Sequence, residues 1–122
     1  MTSMRQRLGR RGEDIARRRL EADGYSIIRI NYRARRLEID LIAEKDGVLV
    51  FVEVRTRSAG GFGSPEESIT AAKRSHLVKA AQAYLQEHEI EGREWRIDVV
   101  ALEIDARGRV SRLDVVENAV EV

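Results

Sequence analysis

The sequence predicts an α/β fold in which a mixed sheet is flanked by two helices. Three observations carry this: an amphipathic helix pattern at the start, three β-branched or alternating runs punctuated by Asp-Gly, and a second helix pattern followed by two closing strands. The order is α-β-β-β-α-β-β. A chain of 122 residues suits a single domain spanning 1-122.

The first helix is expected over roughly Ser3 to Asp23, where Leu8, Ile15, Ala16 and Leu20 make an apolar stripe and Gly24 ends it. Tyr25 to Asn31 is a short β-branched run, Leu37 to Ala43 alternates, and Val48 to Arg57 follows Asp46-Gly47, the strongest short hairpin signal. Ser58 to Pro65 is too glycine-rich for regular structure and reads as a loop. The second helix runs to about His88. It starts either at Ser64, with Pro65 and Glu67 as a capping box, or at Thr70. Trp95 to Ile104 and Val110 to Val116 read as strands around an Asp105 to Gly108 turn.

Composition excludes several classes. With no cysteine there is no disulfide framework or thiolate zinc site, and with two histidines any metal site should use oxygen ligands. No uncharged apolar run approaches the ~18 residues of a membrane span, and the N-terminus lacks an apolar signal region, so a cytoplasmic protein with no membrane partner is expected. The net charge of +1 hides an uneven split: residues 1–36 carry eleven arginines and four acids, a local +7 against about −6 for the rest. Such asymmetry suits a polyanion-binding surface beside an acidic region, although a solvated arginine-rich helix would give the same count.

If Asp46 and Gly47 are the central residues of a tight turn, hairpin partners have residue numbers summing to 93, and Asp40 faces Glu53. Directly opposed like charges repel. Alternation places Leu37, Ile39, Leu41 and Ala43 with Val50, Val52 and Val54 on an apolar face, and Glu38, Asp40, Ile42, Phe51, Glu53 and Arg55 on the other. A polar face is ordinarily just solvated. Ile42 and Phe51 indicate that this one is covered near the turn, so the carboxylates should lie in a cleft and either share a proton or bind a divalent cation. Arg55 is expected opposite Glu38.

Glu13 falls about 20° from Leu20 on a helical wheel, so it can point toward the sheet; pairing with Arg17 at i+4 is the ordinary alternative. Lys73 lies in the apolar arc of Ile69, Leu77, Ala80 and Tyr84, where a lysine either snorkels outward or supplies a cation to a phosphate or an attacking water. His76 and His88 have no partner at ligand spacing, Trp95 reads as a core anchor, and Gly60 to Gly63 lacks the Lys-Ser/Thr of a phosphate-binding loop.

Taken together, Gly9 to Glu13 with Ala16, Asn31 to Arg33, Glu38 to Ile42, Phe51 to Arg57, Lys73 and the strand from Arg96 make the chain resemble the YraN-type family of uncharacterised bacterial proteins. That resemblance implies a three-layer α/β/α restriction-endonuclease-like core related to archaeal Holliday-junction resolvases. In that wider nuclease group an aspartate on one strand precedes Glu-x-Lys on the next. Carried over, the resemblance implies Asp40, Glu53 and the Val54 carbonyl as metal ligands and Glu13 as the helix acid. The motif lysine is Arg55 here, and arginine stabilises charge but is a poor proton acceptor.

The expected function is therefore a Mg²⁺- or Mn²⁺-dependent endonuclease acting on DNA rather than RNA, with branched DNA suggested by the resolvase resemblance alone. Catalytic roles fall to Glu13, Asp40, Glu53, Arg55 and Lys73. Arg10, Arg11, Arg33, Arg35, Arg36 and Arg57 are expected to grip the nucleic-acid backbone. A resolvase-like role would require a homodimer. The alternatives are a non-catalytic nucleic-acid-binding module with a degenerate site, and a protein-binding adaptor whose acids pair internally as Glu38 with Arg55.

Overall fold

The structure, a computed structural model, describes residues 3–60 and 69–121. Its elements are α1 (Met4–Ala22), β1 (Ser26–Ala34), β2 (Leu37–Lys45), β3 (Val48–Ser58), α2 (Ala71–Glu87), β4 (Trp95–Ile104) and β5 (Val110–Val116). The strands form one mixed sheet in the order β1-β2-β3-β4-β5. All neighbours are antiparallel except β3 and β4, which run parallel because α2 carries the chain back between them. No helix among the described residues is long and apolar enough to cross a membrane.

Local chemistry explains the helix ends. Ser3 caps α1 in a capping box with Gln6, satisfying two otherwise orphaned backbone donors. Of the two starts considered for α2, Thr70 is the N-cap, its hydroxyl accepting from the Lys73 amide; the Ser64 alternative and most of the glycine-rich loop lie outside the described residues.

Each helix buries its apolar stripe against the sheet. Ala16 and Leu20 of α1 pack with Tyr25, Leu41, Ala43, Val50, Val52, Val100 and Leu102. From α2, Leu77, Ala80, Ala81 and Tyr84 pack with Tyr32, Ile39, Ile42, Leu49, Phe51 and Ile97. Alternate residues of β3 thus face α1 and α2. On the α2 side, Tyr84 meets Tyr32 and Phe51 edge-on at 5.1 and 5.6 Å, and Trp95 meets Phe51 at 5.7 Å, the core anchor expected of it. Gly12 lets α1 lie directly on β3: a Cβ there would stand 1.9 Å from Thr56 Oγ1.

The hairpin forms in the predicted register from Lys45↔Val48 to Leu41↔Val52, around Asp46 and Gly47, both at positive φ. Two expectations fail beyond that point. The ladder ends before Asp40 and Glu53, where the Asp40 carboxylate accepts the hydrogen bond from the Val54 N–H. Ile39 does not share a face with Leu41 and Ala43 but joins Ile42 against α2, and Leu37 packs on that same side. The face changes where Asn31 adopts a φ of 53° between the pairs Ile30↔Leu41 and Tyr32↔Ile39, so both strands turn there and strict alternation breaks.

Candidate functional site

Where β2 parts from β3, a cleft of about 310 Å³ opens between the helices. Leu8, Gly9 and Glu13 line it from α1, Asp40 from β2, Glu53 to Thr56 from β3, and Lys73 from α2. A larger concavity of about 700 Å³ between α2 and the C-terminal segment offers Arg74, Lys79 and Gln82 with one carboxylate, Glu121, among its described lining, rather than a cluster of acids.

The parting of the strands brings the acids together. Asp40 Oδ2 accepts from the Val54 N–H at 2.8 Å, which holds the carboxylate across the gap that a regular ladder would have closed. Glu53 is only 3% exposed, and its carboxyl is pushed up to about 8: burial contributes most, then hydrogen bonding and charge repulsion from Asp40, with Lys73 acting in the opposite direction. Glu13 is raised to about 7 by burial first, then by the charge of Asp40 and a hydrogen bond to it, then by Glu38. Asp40 therefore stands between two acids that each favour keeping a proton.

Two cations answer this charge. Lys73 Nζ lies 3.2 Å and Arg55 Nη1 3.8 Å from Glu53 Oε2. Even so, Oε2 is buried without a hydrogen bond of adequate geometry to any described residue, as is Thr56 Oγ1. Buried polar atoms are nearly always hydrogen-bonded in native proteins, so a carboxylate oxygen with ion-pair contacts alone, in a cleft lined by two further acids, is a group that a divalent cation can satisfy. The donor set also fits. Among the described residues no group of three His, Asp or Glu side chains is placed to hold a metal ion; Asp40 and Glu53 offer two oxygen-donor carboxylates, the ligand type and number through which Mg²⁺ commonly binds while keeping several waters.

The remaining expected residues divide. Glu13 lines the cleft as expected; Arg17, its ordinary alternative partner, pairs with Asp14 at 2.8 Å and Glu21 at 3.4 Å instead. The expected Glu38–Arg55 pair is absent because the strands have already separated: Glu38 lies 3.7 Å from Arg33, and Arg55 turns to Glu53. Arg10 is exposed on α1 and Arg57 is half-buried at the end of β3. Arg11 is engaged in tying α1 to the carbonyl of Gly108 in the β4–β5 turn. Arg33 and Arg35 line a separate concavity with Ala83, Gln86 and Glu87, and Arg36 is exposed in the adjoining turn, so these three lie outside the lining of the acidic cleft. His88 stacks on Tyr84 at 4.1 Å and His76 is exposed, each with no role at the cleft.

Sequence reasoning missed Gly9, Gly12 and Thr56. The available signal was the pair of glycines inside an otherwise good helix, each of which weakens it. Also missed was Asp98, fully buried and met by Tyr25 Oη at 3.0 Å, Arg96 Nε at 2.9 Å and the Asn118 amide at 2.9 Å.

Compared with known proteins, residues 12–102 match the family described as "Uncharacterised protein family UPF0102". Similar relatives, each called a UPF0102 protein, include one from Moorella thermoacetica, 42% identical over 119 residues and covering 98% of this chain and 99% of the relative. One from Roseiflexus castenholzii is 43% identical over 122 residues, covering 99% and 98%. One from Chloroherpeton thalassium is 44% identical over 101 residues, covering 83% and 78%. The matched span contains Glu13, Asp40, Glu53, Arg55 and Lys73.

Proposed function

The chain belongs to the uncharacterised protein family UPF0102, the YraN-type family that its motifs resemble, and for it we propose metal-dependent phosphodiester hydrolysis on DNA, as an endonuclease with a three-layer restriction-endonuclease-like core. The observation that carries this reading is the nearly buried Glu53 carboxylate beside Asp40, whose Oε2 has ion-pair contacts with Lys73 and Arg55 but no hydrogen bond to a described residue, in a cleft that both cations enter.

In this reading Asp40, Glu53 and the Val54 carbonyl hold Mg²⁺ or Mn²⁺. When bound, the ion supplies Lewis-acid polarisation and an acidified water. The Asp40 carboxylate is oriented by the Val54 N–H, which donates to its Oδ2 at 2.8 Å. Lys73, held 3.2 Å from Glu53, is placed to meet a non-bridging phosphate oxygen and to stabilise the charge that grows there. Arg55 adds a second fixed positive charge but no proton acceptor. Glu13, whose carboxyl is pushed up by burial and by the neighbouring Asp40 charge in the metal-free protein, lines the cleft beside Asp40 and is placed to orient a water. Arg10 and Arg57 contribute sequence-independent grip, with affinity that falls steeply in salt. A homodimer would supply two such sites to a branched substrate.

The test is to incubate the protein, with and without Mg²⁺ or Mn²⁺, with labelled duplex, single-stranded and four-way-junction DNA and structured RNA, with Asp40→Ala alongside. Metal-dependent cutting that vanishes in Asp40→Ala is expected. The second reading, a nucleic-acid-binding module that turns nothing over, is favoured by Arg55 in the motif lysine position. It requires equal binding by both proteins and no cutting in any lane.

A further inference from the structure

The two glycines inside α1 are not equivalent. Gly12 has a structural reason, since any Cβ there would collide with Thr56. Gly9 has none: a Cβ built on it meets nothing within 4 Å, and its φ is not in the left-handed range. Glycine is the poorest helix-interior residue after proline, so Gly9 weakens α1 without a packing return. What Gly9 does line is the mouth of the acidic cleft, one helical turn before Glu13 and on the same side of α1.

The charges on α1 are distributed to match. In its second half, Arg17, Arg18 and Arg19 are all paired within the helix, with Asp14, Glu21 and Asp23. Arg7 and Arg10, which flank Gly9, are exposed and make no ion pair with any described residue. Of the described α1 arginines without an acidic partner, Arg11 is held by the Gly108 carbonyl, Arg7 lies about 160° around the helix from Gly9, and Arg10 adjoins Gly9 about 100° around it, beside the patch of bare backbone at the cleft.

We infer that Gly9 is the substrate gate of the cleft, the point at which the sugar-phosphate backbone of a nucleic-acid strand passes against α1, with Arg10 beside it to meet a phosphate. This rests on the phosphodiesterase reading for what happens beyond the gate. Contact between a polyanion's backbone and a helix requires a place without a side chain, and close backbone approach is what glycine permits.

Gly9→Ala and Gly9→Leu, both good helix formers, separate this role from a structural one, with Arg18→Gln as a control away from the cleft. Alanine should raise Tm by roughly 2–5 °C. Leucine should melt no lower than the native protein and keep its Mg²⁺-induced Tm shift, yet bind and cut labelled duplex and four-way-junction DNA at least ~10-fold more weakly. Arg18→Gln should change binding less than about twofold. Native-like DNA binding and cutting by Gly9→Leu would overturn the inference while leaving the metal reading intact. If the native protein binds DNA but neither cuts it nor responds to Mg²⁺, the metal reading fails, and the loss of binding in Gly9→Leu alone decides the gate. Failure of the native protein to bind any DNA overturns it.

Discussion

Two carboxylates are buried on neighbouring strands of this sheet, and the fold treats them in opposite ways. Asp98 on β4 has no exposed surface and receives hydrogen bonds from a tyrosine, an arginine and a backbone amide. Glu53 on β3 is almost as buried, yet it faces Asp40 in a cleft that Glu13 also lines, and its Oε2 has ion-pair contacts with Lys73 and Arg55 but no hydrogen bond to a described residue. The Asp98 network ties β4 to Tyr25 and to the C-terminal segment, and nothing further is needed to explain it. Glu53 is left short of donors, which costs stability that a bound cation would recover. Burial of an acid is therefore ambiguous between structure and function, and the hydrogen-bond inventory resolves it.

The largest test of that contrast is on catalysis. Glu53→Gln should lower metal-dependent cutting at least ~100-fold, since a catalytic metal contributes several kcal/mol, and should abolish the Mg²⁺-induced rise in Tm; initial rates and melting curves read both. Next, Asp98→Ala should cost about 3 kcal/mol in a denaturant titration, because it strands Arg96 and the Tyr25 hydroxyl, while its Mg²⁺-induced Tm shift survives. A loss below about 1 kcal/mol would remove Asp98 as the structural member of the pair. Gly12→Ala should cost about 2 kcal/mol by pushing α1 off Thr56, and adding Thr56→Gly should recover part of that, as a double-mutant cycle would measure.

The smallest effect is on pH. The folded-state pKa values of Glu13 and Glu53, about 7 and about 8, lie above the ordinary 4.5. Their contribution to stability is thus complete below about 4.5 and is lost as pH rises through 7 and 8. Metal-free protein should lose Tm from pH 6 to 9, Glu53→Gln should flatten that slope, and Mg²⁺ should stabilise progressively more over the same window because binding releases protons. A Tm that rises over the window without metal would contradict the burial of these acids.

Much of the site was legible locally. The Asp46-Gly47 turn determined which residues of β2 and β3 lie opposite each other as far as Leu41 and Val52, and the helical wheel placed Glu13 toward the sheet. The inference failed one residue further on. Counting by twos assumes a regular ladder, whereas Asp40 spends its carboxylate on the Val54 amide and Asn31 bends the facing strand. The pairing of Glu38 with Arg55 was lost for the same reason, and the face of Ile39 with it.

By itself, then, the sequence determined the helix patterns, the hairpin turn, the apolar stripes and the identity of the acids, because each depends on residues within a few positions of one another, and it left the start of α2 open between Ser64 and Thr70. Only the tertiary structure decided that the strands part at Asp40, that Gly9 borders the opening and that Lys73 reaches it from α2. Those outcomes join residues 14 or more positions apart, and they depend on how the strands part and the helices dock on the sheet, which no local pattern encodes.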